Sequence, residues 1–195
     1  MKSSRILSLA FFCALSLGVS LQAADTYKID AVHSSAIFRI KHFEVSYTYG
    51  RINNPEGTLV FDAADPSKCS IEVTLKAAAV DTNNEKRDAH LKTPDFLDVE
   101  KHPTLSFKSK SVKKDGDAYV ITGDFSLLGV TKELTVKAAL TGTAKHEKMG
   151  ERIGFECTFD IKRSDFGMNK FLPGAGDEVR IMVSLEAVKE AAAEK

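Results

Sequence analysis

Apolar and polar residues alternate strictly along much of this sequence, and this period of two constrains its fold more than any other feature. In one segment Ile71, Val73 and Leu75 fall on one face, while Glu72 and Thr74 fall on the other. The pattern returns near residues 36–40, 59–61, 105–107, 119–127, 134–140, 153–161 and 179–185. Such alternation is typical of antiparallel strands with one buried face and one face in water.

Turn-forming residues separate these stretches, as at Asn53–Gly57, Ala64–Pro66, Lys114–Gly116 and Pro173–Gly176. We count about eight strands with short connections, the spacing of an all-β antiparallel barrel or sandwich. A barrel is favoured because a closed sheet leaves no unpaired edge.

Two segments depart from the alternation. Residues 82–98 show none, and we predict a short helical segment near 83–98, centred on Asn83–Lys92, that closes one end of the sheet. The tail from Glu186 to Lys195 is rich in alanine, glutamate and lysine, and we expect a frayed helix there.

The inward face of the predicted barrel mixes small and large apolar residues. Ala36, Ala77, Ala79, Gly123 and Ala138 fall on it together with several Phe and Ile residues. Small residues on facing walls leave room for a ligand, but they also fit the taper of a packed barrel. Alternation alone does not distinguish a cavity from a solid core.

The first 23 residues have the layout of a secretory signal peptide. Lys2 and Arg5 precede an apolar run from Ile6 to Val19, and small residues follow, so cleavage is expected after Ala23. The alternative is an uncleaved anchor, for which the run is short. We therefore expect a periplasmic protein with a signal peptide at 1–23, a barrel domain at 24–187 and a charged C-terminal tail at 188–195.

The charge balance limits the class of partner, and the cysteine content bears on whether a disulfide forms. The chain has 27 basic and 27 acidic residues, a balance that argues against nucleic acid as a partner. After cleavage two cysteines remain, Cys69 and Cys157. Both are predicted to point inward from separate strands, and we expect free buried thiols rather than a disulfide.

No arrangement of residues demands an enzyme or a metal. The five histidines lack the spacing of a zinc site, and nucleophile and phosphate-binding motifs are missing from the sequence. The densest polar cluster contains Arg87, Asp88 and His90. It fits a solvated cap with local hydrogen bonds, or a polar mouth that meets the head group of an amphipathic ligand.

Several stretches together resemble the YceI-like family of exported bacterial proteins. They include Tyr27–Ser34, Gly57–Asp62, Arg87–Leu91, Arg163–Gly167 and Gly176–Val179, in an order that extends over nearly all of the chain after residue 23. Ile52 and Leu97 stand where this family usually has an aromatic residue. The resemblance implies a lipocalin-like barrel that encloses a long apolar tube and binds polyisoprenoids.

On this resemblance we expect a carrier that holds an elongated amphipathic lipid, such as a polyisoprenoid, an isoprenoid quinone or a fatty-acid-like chain. No cofactor, metal or catalytic residue is expected beyond the bound lipid. The predicted polar mouth contains His33, Arg87, Asp88 and His90. The predicted tube lining consists of Phe38, Ile40, Ile71, Val73, Phe107, Phe125, Phe155 and Phe159.

Two other functions stay open at this point. One is an enzyme that acts on such a lipid through Arg87, Asp88 and His90. The other is a partner-binding module, as a homodimer or in transient contact with a membrane or a membrane redox protein, that delivers a quinone. A module predicts an exposed apolar patch on the exterior, against which the polar outward faces of the strands argue.

Overall fold

The computed structural model describes residues 24–191, and within them the chain forms eleven strands, one α-helix and three short 3-10 turns. The helix, α1, is Glu85–Leu91, and the 3-10 turns are Pro66–Lys68, Ala77–Ala79 and Arg163–Phe166. The strands are β1 (Asp25–Ile29), β2 (Ser35–His42), β3 (Ser46–Ile52), β4 (Glu56–Phe61), β5 (Ser70–Lys76), β6 (Val80–Asp81), β7 (Thr104–Asp115), β8 (Ala118–Leu127), β9 (Val130–His146), β10 (Gly150–Lys162) and β11 (Ala175–Lys189).

Eight of the strands close into an antiparallel barrel. They follow the order β1, β4, β5, β7, β8, β9, β10 and β11, and the end of β11 returns to β1. The closing contact pairs Tyr27–Ile29 with Ala187–Lys189. The predicted all-β barrel of about eight strands is thus confirmed.

The hairpin of β2 and β3 extends the wall at one end of the barrel. Val179–Ser184 of β11 pair with β2, and Arg51 and Ile52 of β3 pair with β6. The loop before β11 contacts both the tip of the hairpin, through Phe171 and Phe43, and the segment after α1, through Lys170 and Asp95, so the tip and the helix lie at the same end. We call this the helix end of the barrel.

The predicted helical segment is confirmed, and α1 is shorter than the stretch that lacks alternation. Asn84 caps the helix, because its Oδ1 accepts a hydrogen bond from the Arg87 backbone N–H at 3.0 Å. The helix ends at Leu91, and turns lead from there toward β7.

The predicted helical tail is wrong for the residues that the structure describes. Residues 186–189 continue β11, and strand pairing extends two residues past the predicted domain boundary at 187. Pairing with β1 and β10 supplies these residues with backbone hydrogen bonds, which outweigh the helix propensity of a short alanine-rich segment. Residues 192–195 lie outside the described part.

The inward faces of the strands form the core, as the alternation predicted, with three exceptions among the small residues. Ala77 and Ala79 lie in a 3-10 turn after β5 rather than on the strand. Gly123 leaves no open space, because a Cβ there would lie 2.7 Å from Cζ of Phe107. A small residue on the inward face can therefore make room for a neighbouring ring instead of a ligand.

Cys69 and Cys157 are free thiols, as predicted. Among residues 24–191 the structure contains no helix long and apolar enough to cross a membrane. The predicted signal peptide at residues 1–23 lies outside the described residues and stays a prediction.

Candidate functional site

A cavity of about 470 Å³ occupies the interior of the barrel. Its volume lies within the range of ligand sites, roughly 300–1,000 Å³. The question that alternation left open is thereby answered, because the barrel is hollow. The cavity is lined by all eight residues that were predicted to line a tube, namely Phe38, Ile40, Ile71, Val73, Phe107, Phe125, Phe155 and Phe159.

Three aromatic rings pack together in the part of the barrel away from the helix end. Phe61, Tyr119 and Phe155 contact one another edge to face, with ring centroids 5.5–5.7 Å apart. All three also line the cavity. Burial raises the pKa of Tyr119, so its hydroxyl stays neutral and the cavity carries no charge there.

Several lining residues lie outside the alternating segments, and the pattern could not identify them. Phe96 and Leu97 follow α1, and Met168 and Phe171 lie between β10 and β11. Turns rather than strands orient these side chains, so a period of two carries no information about them. Ile52 and Leu97, where the family usually has an aromatic residue, both line the cavity.

Two of the four predicted mouth residues, Arg87 and His90, line the cavity at the helix end. The Arg87 guanidinium donates from Nε to Thr82 Oγ1 at 2.7 Å and from Nη2 to the Thr82 carbonyl at 2.6 Å. These bonds hold the arginine beside buried Thr82 while part of its side chain faces the cavity.

Asp88 does not line the cavity, although it is next to Arg87 in the sequence. Its carboxylate accepts hydrogen bonds from the backbone N–H of Thr82, at 2.9 Å, and from the Thr82 hydroxyl. These bonds lower the pKa of Asp88 and keep it ionised. Asp88 therefore ties α1 to β6, which corrects its predicted place in the mouth.

His90 connects α1 to the loop before β11 through one carboxylate. Its Nε2 donates to Asp95 Oδ2 at 3.1 Å, and Lys170 Nζ lies 3.4 Å from Asp95 Oδ1. The His90 hydrogen bond and the charge of Lys170 lower the pKa of Asp95. The three side chains form a polar bridge at the helix end, beside the apolar lining residue Phe96, whose ring contacts His90.

His33 lies in a different part of the barrel, and its placement in the mouth is wrong. Its Nδ1 donates to Asp30 Oδ2 at 2.9 Å, and Arg152 Nη1 reaches the same oxygen at 2.9 Å and also contacts Glu186. The segment between β1 and β2 places it there, away from α1. His33 does not line the cavity.

The group formed by Asp30, His33 and Glu186 has the composition of a metal site. However, the Arg152 guanidinium contacts both carboxylates and already takes the place that a cation would occupy. The His33 and Arg152 hydrogen bonds hold the pKa of Asp30 well below its usual range. This cluster joins β1, β10 and β11 and has a structural role.

A buried arginine positions the loop that carries Phe171. Arg163 is 2% exposed, and its guanidinium donates to the carbonyls of Met168, Lys170, Ala175 and Gly176 at 2.8–2.9 Å. Two of these bonds reach the loop before Phe171 and two reach the start of β11 after it, so they anchor the loop on both sides. Arg163 thereby holds Phe171 at the cavity.

Both free thiols line the cavity. Burial raises the pKa of the Cys69 thiol, and burial with the nearby charge of Glu156 raises the pKa of Cys157 to about 11. Both side chains are neutral at pH 7 and act as apolar lining. A site of this kind can enclose an apolar chain along its length and meet a charged or polar head group at the helix end, where Arg87 and His90 lie.

Comparison with known proteins supports the same architecture. The family model described as YceI-like domain matches residues 27–187. The chain is 42% identical over 192 residues to Protein YceI of Shigella flexneri, covering 97% of this chain and all of the relative.

Two solved structures are also similar. The YCEI protein of Campylobacter jejuni superposes with a TM-score of 0.69 at 31% identity, over 78% of this chain and 90% of the other. A polyisoprenoid binding domain from Saccharophagus degradans, implicated in plant cell wall breakdown, superposes with a TM-score of 0.65 at 14% identity. That match covers 84% of this chain and 98% of the other, and at this identity it concerns the fold alone. The matched family domain, the whole-length relative and the closed barrel together show that this chain belongs to the YceI-like family.

Proposed function

We propose that this protein is a periplasmic carrier that binds one elongated amphipathic lipid in the barrel cavity. The candidate ligands are a polyisoprenoid, an isoprenoid quinone or a fatty-acid-like chain. The observation that carries the proposal is the 470 Å³ cavity, which apolar side chains line along the barrel and which has Arg87 and His90 at the helix end. A ligand with an apolar tail and one polar group matches this distribution.

The apolar lining can bind a lipid tail tightly without any hydrogen bond along the tail. Burial of each methylene contributes about 0.8 kcal/mol, so roughly ten buried carbons offset the cost of immobilising a lipid. The head group then lies at the helix end, where the Arg87 guanidinium and the His90 ring are donors. Such a site selects ligands by chain length and shape, and it needs no covalent step.

The comparisons support this proposal indirectly, through the described property of a protein with the same fold. The Saccharophagus degradans domain with the same fold is described as binding a polyisoprenoid. That property belongs to the other protein, and for this chain it indicates which class of ligand to test first. The predicted signal peptide at 1–23 is the basis for the periplasmic location, which fractionation of the native host and the mass of the exported N-terminus would test.

Ligand extraction is the direct test. Protein purified from its native host is denatured in organic solvent, and mass spectrometry of the extract should show one or a few chain-like lipids at about one per barrel. Lipid-free, refolded protein should then take up a prenyl alcohol from detergent. Folded protein that carries no lipid and takes up none would contradict the proposal.

Variants that fill the cavity sharpen this test. Phe125→Trp enlarges a lining residue that already contacts Phe159 and Phe166, and Phe155→Trp enlarges a lining residue that already contacts Phe61 and Tyr119. Both should reduce uptake of the prenyl alcohol at least tenfold. Val32→Trp adds a ring at an exposed position that does not line the cavity and should leave uptake unchanged.

The alternative of a lipid-acting enzyme requires His90 to work with Asp88 or Arg87. The structure pairs His90 with Asp95 rather than Asp88, whose oxygen is bound to Thr82. Turnover of a bound lipid that is lost in His90→Ala, while lipid binding survives, would establish this alternative. Unchanged extracts from wild-type and His90→Ala protein support a carrier.

A further inference from the structure

We propose that the helix end of the barrel docks on a bilayer containing anionic phospholipid, through the tip of the β2–β3 hairpin and the neighbouring loop. The apolar part of this docking surface consists of Phe43, Val45, Phe171 and Leu172, and its basic part of Arg39, Lys41 and Arg51. The inference rests on the proposed function, since it states how the lipid enters and leaves the cavity.

The apolar side chains form an exposed cluster at the end of the molecule. Phe43 is 58% exposed, Val45 84%, Phe171 51% and Leu172 40%. The rings of Phe43 and Phe171 meet edge to face with centroids 5.7 Å apart, so the hairpin and the loop form one surface. The polar outward faces of the strands argued against such a patch, and the structure places it at turns, where alternation does not apply.

The flank of the hairpin is basic and aromatic. The guanidinium of Arg39 lies 4.3 Å from the centre of the Tyr47 ring, and Lys41 Nζ lies 5.2 Å from the same ring. With Arg51 they make three cations between Ser35 and Ile52 against one acidic residue, Glu44, which lies 4.0 Å from Lys41, in a chain whose charges balance overall.

This combination matches the chemistry of a bilayer interface. Apolar tips enter the boundary between head groups and acyl chains, tyrosine rings lie at head-group depth, and basic side chains attract anionic head groups. A second copy of this chain is a poorer partner, because a two-fold contact would bring the same basic flank against itself.

The docking surface is continuous with the cavity. Phe171 belongs to both, and His42, which precedes Phe43, also lines the cavity. A lipid that left the cavity into water would expose its whole chain, at a cost that grows with each methylene. When the helix end lies on a bilayer, the lipid tail instead passes directly from the apolar cavity into the apolar interior of the bilayer.

The sequence contains no tryptophan, which allows a single-reporter experiment. Phe43→Trp places the reporter on the docking surface, and Met149→Trp places it at an exposed position between β9 and β10, at the other end of the barrel. With vesicles of phosphatidylcholine and phosphatidylglycerol, the emission of Phe43→Trp should shift to the blue by about 10 nm or more. The emission of Met149→Trp should stay unchanged.

Flotation of the purified protein with the same vesicles measures affinity. The double variant Phe43→Asn, Val45→Ser should lower the vesicle-bound fraction at least tenfold, and asparagine suits position 43 because its φ is positive, at 46°. Lys41→Gln should weaken binding and reduce its dependence on salt, whereas Lys108→Gln on the distant strand β7 should have no effect.

Uptake of a prenyl alcohol from detergent, measured in parallel, separates the two proposals. If the double variant loses vesicle binding but still takes up the lipid from detergent, docking and carrier function are both supported. If wild-type protein takes up the lipid but does not bind vesicles, or if the variant binds vesicles like wild type, the docking proposal is overturned. Vesicle binding through Phe43 without any lipid uptake would instead overturn the carrier function alone.

Discussion

The ring of Phe107 occupies the space beside Gly123 that any other residue would fill with its Cβ. The two residues lie on neighbouring strands, and a Cβ at position 123 would come within 2.7 Å of Phe107 Cζ and closer still to the Lys108 carbonyl. Because Phe107 lines the cavity, the glycine sets the position of one wall of the site.

Gly123→Ala should therefore destabilise the protein by about 1–3 kcal/mol, the usual cost of overpacking a core. Urea unfolding should show a lower midpoint with an unchanged slope. Gly142→Ala is the matched control, since a Cβ there meets nothing within 4 Å, and its midpoint should stay the same or rise slightly. Equal stability of the two variants would contradict this account of Gly123.

The cluster of Asp30, His33 and Arg152 should stabilise the barrel in a pH-dependent way. Its hydrogen bonds lower the pKa of folded Asp30 below that of the unfolded chain, so the stabilisation is complete above about pH 4 and is lost as pH falls toward the folded pKa. We expect Asp30→Asn to lose about 1–2 kcal/mol at pH 7, as for a partly buried charged hydrogen bond.

The free energies of unfolding of wild type and Asp30→Asn, measured from pH 7 down to pH 2, should approach each other below pH 4 without becoming equal, because folded Asp30 is still largely ionised at the acid end. Asp115→Asn is the control, because Asp115 makes an exposed pair with Lys137 at 2.8 Å. A constant difference between wild type and Asp30→Asn across this pH range would show that the side chain acts through its shape rather than its charge.

The Cys157 thiol should react slowly and report on the contents of the cavity. Its pKa, raised to about 11 by burial, leaves little thiolate at pH 8. In protein cut after Ala23 and carrying Cys69→Ser, alkylation should be at least tenfold slower than in the urea-unfolded chain. The rate should increase with pH toward 11 and decrease when a prenyl alcohol is bound. Equal rates in the folded and unfolded chains would show that the thiol is exposed.

The Asn84 cap of α1 should stabilise the helical segment that positions Arg87 and His90 at the cavity. Asn84→Ala removes the hydrogen bond to the Arg87 N–H, at a cost of about 1 kcal/mol. In a helix of seven residues this loss should fray the segment that carries Arg87 and His90, so bound lipid should dissociate faster. Asn84→Asp keeps an acceptor at the cap and should retain both stability and dissociation rate. If bound lipid dissociates at the same rate from wild type, Asn84→Ala and Asn84→Asp, the stability of α1 does not affect lipid release.

The site was predictable wherever its residues lie on regular strands. Phe38, Phe107 and Phe159 were assigned to the interior from alternation, and each lines the cavity. The face on which a strand residue lies is a local property, because successive side chains point to opposite sides. Their role in binding a ligand stays a prediction.

Residues in turns were not predictable in this way. His33 and Asp88 were assigned to the mouth, yet they bind Asp30 and Thr82 respectively. Phe171 was not assigned to the site, although the Arg163 side chain donates hydrogen bonds to backbone carbonyls on both sides of it and so holds its loop beside the cavity. The direction of a turn depends on contacts between residues far apart in the chain, which no local pattern records.

The sequence by itself determined the all-β class, the inward face of each strand, the short helix before β7 and the family. Only the tertiary structure decided that the ring closes through β1 and β11 around an open cavity, that Gly123 makes room for Phe107, and that Phe43 meets Phe171 outside the barrel. The physical reason is that strand periodicity arises within a few residues, whereas closure, filling and exposed surface depend on which distant segments pack together.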